Sequence, residues 1–263
     1  MPRQRPFSFF TCKRNNSLPV RVHFYDMRIL TVTSCASLVG AVLAFSGCVI
    51  HTEEGGPLQH QSVDFDRDKA EIVRAYFKMG VGTMRVGSGV SDKLVRADFD
   101  YNVRSWQPEV EYREGTLRIT QPSSSGTHLG NTKYEWDIRL NREVPLELNI
   151  NTGAGEARLE LGSLDLRRVN VEIGVGQLQM DLRGHPTHNY SVQIHGGVGE
   201  ATVRLPSDVG VYAEARGGIG EISASGSLHH DGNVYFNDNY KKSPVTIRLD
   251  IQGGVGSIKL ISV

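Results

Sequence analysis

The stretch Ile173-Gly174-Val175-Gly176-Gln177-Leu178-Gln179-Met180-Asp181-Leu182 decides the fold of this chain. Apolar and polar residues alternate on both sides of a Gly-x-Gly break, which is typical of half-buried strands before and after a bend. The pattern occurs six times. Its glycines are Gly80 and Gly82, Gly153 and Gly155, Gly174 and Gly176, Gly197 and Gly199, Gly218 and Gly220, and Gly254 and Gly256. A unit that recurs this often predicts a repeat architecture.

The spacing of the copies predicts how they assemble. The second glycines at 155, 176, 199, 220 and 256 are 21, 23, 21 and 36 residues apart. The longest interval contains an insertion from Leu228 to Lys242. One unit is too small to bury its own apolar face, so stacked neighbours are expected to share a core. The predicted fold class is all-β, a repetitive β-solenoid of short strands with Gly-x-Gly corners.

The break changes which positions face the core. The apolar residues before it are Val169, Val171, Ile173 and Val175, at odd positions, and those after it are Leu178, Met180 and Leu182, at even positions. Side chains in a strand alternate with period two, so a slip of one residue would turn the apolar face outward. An extra residue at a bend restores the facing, and glycine permits the required backbone angles. The twelve glycines are therefore interpreted as structural corners.

Residues 1–47 are predicted to be a signal peptide region. Met27-Arg28 precedes an apolar run from Ile29 to Phe45, which ends at Ser46-Gly47-Cys48. The run is short for a membrane span. Its end resembles the lipobox of bacterial lipoproteins, with Phe45 where that motif usually has Leu. The resemblance implies cleavage before Cys48 and a lipid on Cys48.

Two further expectations concern this region. Residues 1–26 are polar and basic, so Met27 is expected to be the true start. Val49 follows the cysteine where an Asp would favour inner-membrane retention in a Gram-negative bacterium, so an outer-membrane location is expected there. An ordinary apolar anchor with a chance cysteine is the alternative reading of the segment.

The rest of the chain divides into a tether and a body. Residues 48–68 include Gly55, Gly56 and Pro57 without periodicity. They are predicted to be the lipidated cysteine and a flexible tether, and twenty such residues span about 25 Å. The body is predicted to comprise 69–151 and 152–263, the second range continuing the same stack.

The first part of the body is predicted to consist of strands. They are expected at residues 72–81, 94–103, 110–113, 116–120, 134–140 and 146–150. Glu114-Gly115 is expected to form a hairpin turn.

Several segments of this region resemble a known family. They are Gly80-Val81-Gly82-Thr83-Met84-Arg85-Val86, Phe99-Asp100-Tyr101-Asn102, Pro108-Glu109-Val110-Glu111-Tyr112, Gly115-Thr116-Leu117, Trp136-Asp137-Ile138-Arg139-Leu140 and Val144-Pro145-Leu146. They are similar to the toast-rack N-terminal domain of bacterial envelope proteins related to cell-wall-active antibiotic response proteins and adhesins. The resemblance covers about residues 66–162. It implies a rack of strands and brings no catalytic residues.

The charge and cysteine content of the chain argue against some classes of protein and some kinds of site. The chain has 263 residues with 29 basic and 29 acidic side chains. Residues 1–47 contain six of the basic side chains and one of the acidic ones. Residues 48–263 therefore carry 23 basic and 28 acidic side chains. This mildly acidic body lacks the electrostatic signature of a nucleic-acid-binding protein. Cys12, Cys35 and Cys48 all lie at or before the predicted lipidation site. Neither a disulfide framework nor a thiolate metal site is expected.

No cofactor or catalytic residue is predicted. The glycine-rich turns lack the G-x-G-x-x-G and G-x-x-x-x-G-K-[ST] patterns of nucleotide-binding loops. Histidines that could bind zinc or copper are His185, His188, His195, His229 and His230. Pro186 makes a helical pair of His185 and His188 unfavourable, and solvated loop positions are the favoured interpretation.

Two surface features remain open. Glu156, Glu200 and Glu221 follow the glycines at equivalent positions. They could form a column that binds a charged polymer or cation, although a solvated outer face is the favoured interpretation. Aromatic residues form two groups. Trp106, Tyr112, Tyr134 and Trp136 are expected to be core plugs, and Tyr235, Phe236 and Tyr240 of the insertion are expected to cap the stack or form a contact patch.

The predicted function is a lipid-anchored, non-enzymatic module of the bacterial cell envelope that binds, senses or organises another component. Its predicted partners are the membrane, through Cys48, and an envelope protein or glycan. The alternative is a polysaccharide-binding or polysaccharide-cleaving solenoid. A purely structural, adhesin-like spacer is a third reading.

Overall fold

A computed structural model describes residues 55–123 and 131–263. These residues belong to one compact unit, Cys48–Val263. They form strands and a single short 3-10 helix, Arg104–Trp106, so the predicted all-β class is confirmed. None of their helices is long and apolar enough to cross a membrane. The signal region, Met27 and Cys48 lie outside the described residues.

In the described residues, thirteen strands form one sheet. They are β1 (Gln59–Asp66), β2 (Val73–Val90), β3 (Lys93–Tyr101), β4 (Glu109–Arg113), β5 (Thr116–Thr120), β6 (Tyr134–Asn141), β7 (Leu146–Glu160), β8 (Leu166–Asp181), β9 (Tyr190–Leu205), β10 (Gly210–Gly226), β11 (Leu228–Asp231), β12 (Val234–Asn237) and β13 (Thr246–Ser262). The six strands that contain Gly-x-Gly are parallel and stack in the order β2-β7-β8-β9-β13-β10. The last strand of the chain is thus inserted between β9 and β10.

Each of these long strands must fold back on itself. β7 has 15 residues and would be about 50 Å long if straight. The five residues that connect it to the parallel β8 span at most about 18 Å. The end of β7 must therefore lie near its start, which places the reversal at the Gly-x-Gly break. The segment before the break is called the first leg and the segment after it the second leg, and the stacked legs form a first and a second layer.

The core lies between the two layers. On β8 the buried residues are Val169, Val171 and Ile173 before the break and Leu178 and Met180 after it. They belong to one continuous apolar cluster that includes all six long strands. The change from odd to even positions is therefore present in the structure. Val175 does not follow the predicted pattern, because it lies at the bend itself and is 54% exposed.

Close stacking explains the glycines more fully than backbone freedom does. Gly176 has φ +141°, a conformation that L-residues rarely adopt. In addition, a Cβ at Gly176 would fall on the carbonyl oxygen of Gly155, far inside the 3.0 Å that real Cβ contacts respect. Gly174 faces the Gly153 carbonyl in the same way. Side chains are thus excluded by the next strand of the stack.

The N-terminal end is closed by shorter strands. β5 pairs with the first leg of β2, and β6 pairs with its second leg. β4 and β5 form the predicted hairpin, whose turn residues Glu114 and Gly115 both have positive φ. Trp106, Tyr134 and Trp136 are buried in the core, as predicted, whereas Tyr112 of the same predicted group is half-buried against it.

The tether prediction is wrong for Gln59–Asp66. These residues form β1, which pairs antiparallel with β3. Only Val63 and Phe65 on the half-buried face are strongly apolar, so the segment shows little hydrophobic periodicity. Backbone pairing to β3 orders it instead, and alternation alone could not reveal that.

Candidate aromatic binding surface

The insertion from Leu228 to Lys242 forms a hairpin that extends the first layer. β11 pairs with β12, and β12 pairs with residues 212–214 in the first leg of β10. Tyr212 lies opposite Phe236, and Phe236 lies opposite His229. Because residues opposite each other share a face of the sheet, these three rings lie in one row on the outer side.

A fourth ring completes this surface. Tyr240 follows β12, and its ring centroid is 5.2 Å from that of Tyr212 and 6.2 Å from that of Phe236. The His229 ring lies 5.9 Å from Phe236. Tyr212, Phe236 and Tyr240 are half-buried, so each presents part of its ring to solvent. We call the group Tyr212, His229, Phe236 and Tyr240 the aromatic surface.

Positive charges border the aromatic surface. The Lys241 ammonium lies 5.3 Å from the Tyr240 ring centroid, and the Arg248 guanidinium lies 5.7 Å from that of Tyr212. Both distances are within the range of cation–π attraction. Lys242 lines the same open depression, which measures about 610 Å³. The acids Asp231 and Asp238 also line it, and Asp238 Oδ1 is 2.7 Å from His229 Nε2.

Two asparagines hold the surface in place. Asn237 is buried, donates from Nδ2 to the Val209 carbonyl (2.7 Å) and accepts from the Val211 amide (2.9 Å). Asn239 donates to the Ser207 carbonyl (2.7 Å). These three bonds join the insertion to the segment that precedes and begins β10. Lys241, in the turn beyond them, has φ 66°, which is uncommon for a residue with a Cβ.

The arrangement can bind a ligand that offers flat apolar faces and negative charge. Exposed aromatic rings supply contact area at low entropic cost, and the bordering cations supply directed attraction. The contact patch predicted for the insertion is present only in part. Tyr235, opposite Ala213, points into the core and is buried, whereas Phe236 and Tyr240 lie on the surface.

Sequence reasoning missed Tyr212 and Arg248. Both lie outside the insertion, on β10 and β13, and each looks like an ordinary outward strand residue. Arg248 and Tyr212 are brought side by side only because β13 is inserted between β9 and β10. No local sequence pattern predicts that strand order.

The histidines considered as metal ligands are not brought together. His185 Nδ1 lies 2.6 Å from Asp208, and His188 Nε2 lies 2.9 Å from the Leu166 carbonyl and 3.1 Å from Asp165. His195 is exposed on β9. In the described part of the chain, no group of three or more His, Cys, Asp or Glu residues is placed to hold a metal ion.

The predicted carboxylate column is interrupted. Glu156 is followed in the register by Gln177 and then by Glu200, and Ser257 separates Glu200 from Glu221. Two strand spacings, about 10 Å, therefore separate successive acids. The Glu156 carboxylate also accepts a 2.7 Å hydrogen bond from Arg158. The column is an outer face of mixed polar residues.

Fold and surface together define a class, an all-β stack of folded-back strands with an aromatic surface at one end. The chain matches the family described as "N-terminal domain of toast_rack, DUF2154" over residues 54–204, which is more than half of its length. The chain belongs to this family. The resemblance expected for residues 66–162 is thereby confirmed and extended.

Comparison with solved structures found proteins that are similar to this chain. A protein from Clostridium sporogenes, named a "putative cell adhesion protein", is 34% identical, with a TM-score of 0.76 over 79% of this chain and 100% of that one. A "putative adhesin" from Bacteroides fragilis is 12% identical over 79% of this chain and 99% of that one, with a TM-score of 0.35. Comparison with curated proteins gave no match.

Proposed function

We propose that this chain is a lipid-anchored, non-enzymatic binding module of the bacterial cell envelope, of the adhesin type, which binds an acidic polysaccharide at its aromatic surface. The observation that carries the proposal is the outward cluster of Tyr212, Phe236 and Tyr240 with Lys241 and Arg248 at its border. The similar protein from Clostridium sporogenes is named for cell adhesion, which agrees with an envelope location.

The ligand class follows from the chemistry of the surface. Sugar rings present apolar C–H faces that stack on aromatic side chains, while carboxylates of an acidic sugar pair with Lys and Arg. The depression is open, so it accommodates a polymer that continues beyond it. A sensing or scaffold role would use the same contact, with the lipid on Cys48 holding the module at the membrane.

The ligand proposal is tested with two immobilised polymers, acidic polygalacturonate and neutral dextran. We expect the wild-type chain to be retained by polygalacturonate and not by dextran. Tyr240→Ala should weaken retention by about tenfold or more, because it removes the ring that lies beside both Tyr212 and Phe236. Tyr76→Ala is the matched control. Tyr76 is an outward tyrosine at the far end of the first layer, and the Arg118 guanidinium lies 4.5 Å from its ring centroid. Equal retention of both variants would reject the aromatic surface as the site.

The anchor is tested separately. Cys48→Ser should abolish incorporation of labelled fatty acid and release the chain from the membrane fraction, while Cys35→Ser, inside the apolar run, should change neither. Labelling that persists in Cys48→Ser would show that the lipobox resemblance is misleading.

A further inference from the structure

The two layers end differently at the end of the stack that is formed by β10. β12 and β11 continue the first layer beyond β10. The second layer ends at the second leg of β10, residues 221–226, which among the described residues pairs only with β13. One side of this leg therefore presents unpaired backbone N–H and C=O groups, which form a template for another strand.

The other outer edges of the described sheet carry protection that this edge lacks. β1 contains Asp64 and Asp66, which pair with Lys93. β4 follows Pro108 and reads Glu-Val-Glu-Tyr-Arg, and β11 reads Leu-His-His-Asp. Charges, proline and very short edge strands are the usual devices that prevent strand addition, and β11 has only four residues. The edge of β10 reads Glu-Ile-Ser-Ala-Ser-Gly, with one charge at its start.

The step between the layers has room for one added strand. β12 and β11 overhang the edge of β10 by about 10 Å, two strand spacings. Two copies of the chain that paired antiparallel at this edge would be related by a twofold axis perpendicular to the sheet. Both overhanging hairpins would then need the same space. A single extended segment meets no such obstacle.

Side chains along the edge define what that segment must offer. Ile222 is half-buried and faces inward with Ala224, since they lie opposite the buried Ile258 and Leu260 of β13. Glu221 is exposed, and no ion pair with it is found in the described part of the chain. The added strand must therefore place apolar residues inward at alternate positions and a cation opposite Glu221.

Stacking at the corner adds a geometric requirement. A Cβ at Gly220 would fall on the Gly256 carbonyl, and each long strand repeats this contact with its neighbour. An added parallel strand in the same register would place its own residue against the Gly220 carbonyl in the same way. Only glycine fits that position.

We propose that the free edge of β10, comprising its bend and second leg (residues 217–226), binds an extended peptide segment of a partner protein as an added parallel strand. The segment has glycine beside Gly220, a cation opposite Glu221 and apolar residues at alternate positions. This site is independent of the aromatic surface, which lies on the outer side of the first layer. Recognition uses backbone hydrogen bonds for affinity and alternate side chains for specificity.

The probe is a fluorescein-labelled synthetic peptide with the sequence of residues 253–263 and Ser257→Lys. The parent sequence pairs with this stretch of β10 in the required register from the other side. A second peptide also carries Gly256→Ala. Fluorescence anisotropy with the full chain measures both affinities, and amide hydrogen exchange locates the contact. Ala224→Lys places a charge on the inward face of the edge, and Ser225→Lys places the same charge on the outward face as a matched control.

We expect saturable binding of the first peptide to the wild-type chain and to Ser225→Lys, with slowed exchange at residues 217–226. Ala224→Lys, and separately Gly256→Ala in the peptide, should each weaken binding by about tenfold or more. Melting temperatures check that both variants fold. If Ala224→Lys fails to fold, the two peptides on the wild-type chain decide the matter.

Three results would overturn the proposal. One is equal affinity for the two peptides, and another is protection located at β1 or β4. The third is a wild-type dimer in light scattering that Ala224→Lys converts to monomer, which would assign the edge to a second copy of this chain.

Discussion

At the scale of single residues, Gly176 is constrained twice. Its φ of +141° is unfavourable for any side chain, and the Gly155 carbonyl occupies the position that a Cβ would take. The first constraint could be relieved by a local change of backbone angle. The second could be relieved only by moving a neighbouring strand, which also pairs with β2 on its other side.

Gly176→Val is therefore expected to lower the free energy of unfolding by about 3 kcal/mol or more, as strain and a steric clash combine. Chemical denaturation monitored by circular dichroism measures the change. Gln179→Thr is the control, because Thr202 occupies the same register position on β9. It should stay within about 0.5 kcal/mol of wild type. Similar midpoints for both variants would mean that the stack tolerates side chains at the bend.

At the scale of elements, the β11–β12 hairpin depends on few contacts with the stack. Residues 234–236 of β12 pair with β10, the Asn233 carbonyl accepts from the Ala215 amide, and Asn237 adds two buried hydrogen bonds to Val209 and Val211. An element held this weakly opens more readily than the central strands. Since the hairpin and the turn that follows it carry three of the four rings of the aromatic surface, their docking positions the proposed ligand site.

Asn237→Ala is expected to speed amide exchange in β11 and β12 by about tenfold or more, since it leaves a buried carbonyl and a buried amide without a partner. Exchange in β7 and β8 should change little. Asn233→Ala is a matched control, because Asn233 is exposed and its backbone carbonyl, not its side chain, accepts from Ala215. Uniform acceleration along the chain would instead indicate a global loss of stability.

At the scale of the whole molecule, the stack buries tyrosines at different points along its length. Burial raises the pKa of Tyr190, at the start of β9, and that of Tyr134, on β6, above the ordinary value near 10. A raised pKa in the folded state means that the unfolded chain releases these protons first. The stabilisation is complete below about pH 10 and is lost as the pH rises above that value.

Alkaline conditions are therefore expected to destabilise the fold. The urea midpoint should fall between about pH 10 and 12 at a fixed temperature, and Tyr190→Phe should reduce the slope of that fall. Tyr76→Phe is a suitable control, because Tyr76 is only half-buried on the outer face of β2. A midpoint independent of pH in this interval would mean that these tyrosines ionise without unfolding.

The sequence by itself determined the repeat, the all-β class and the position of each bend, because these follow from alternation and glycine spacing within short segments. It indicated the family separately, through the resemblance of residues 66–162 to the toast-rack N-terminal domain. It assigned Val175 to the core, and the structure places Val175 at the bend, where neither layer covers it. Tertiary structure alone decided that β13 enters between β9 and β10 and that the second layer ends at β10, two strands before the first layer ends at β11. Strand order depends on pairing between distant segments whose edges are nearly equivalent, and no local pattern distinguishes such edges. The aromatic surface and the free edge of β10 both arise from that order.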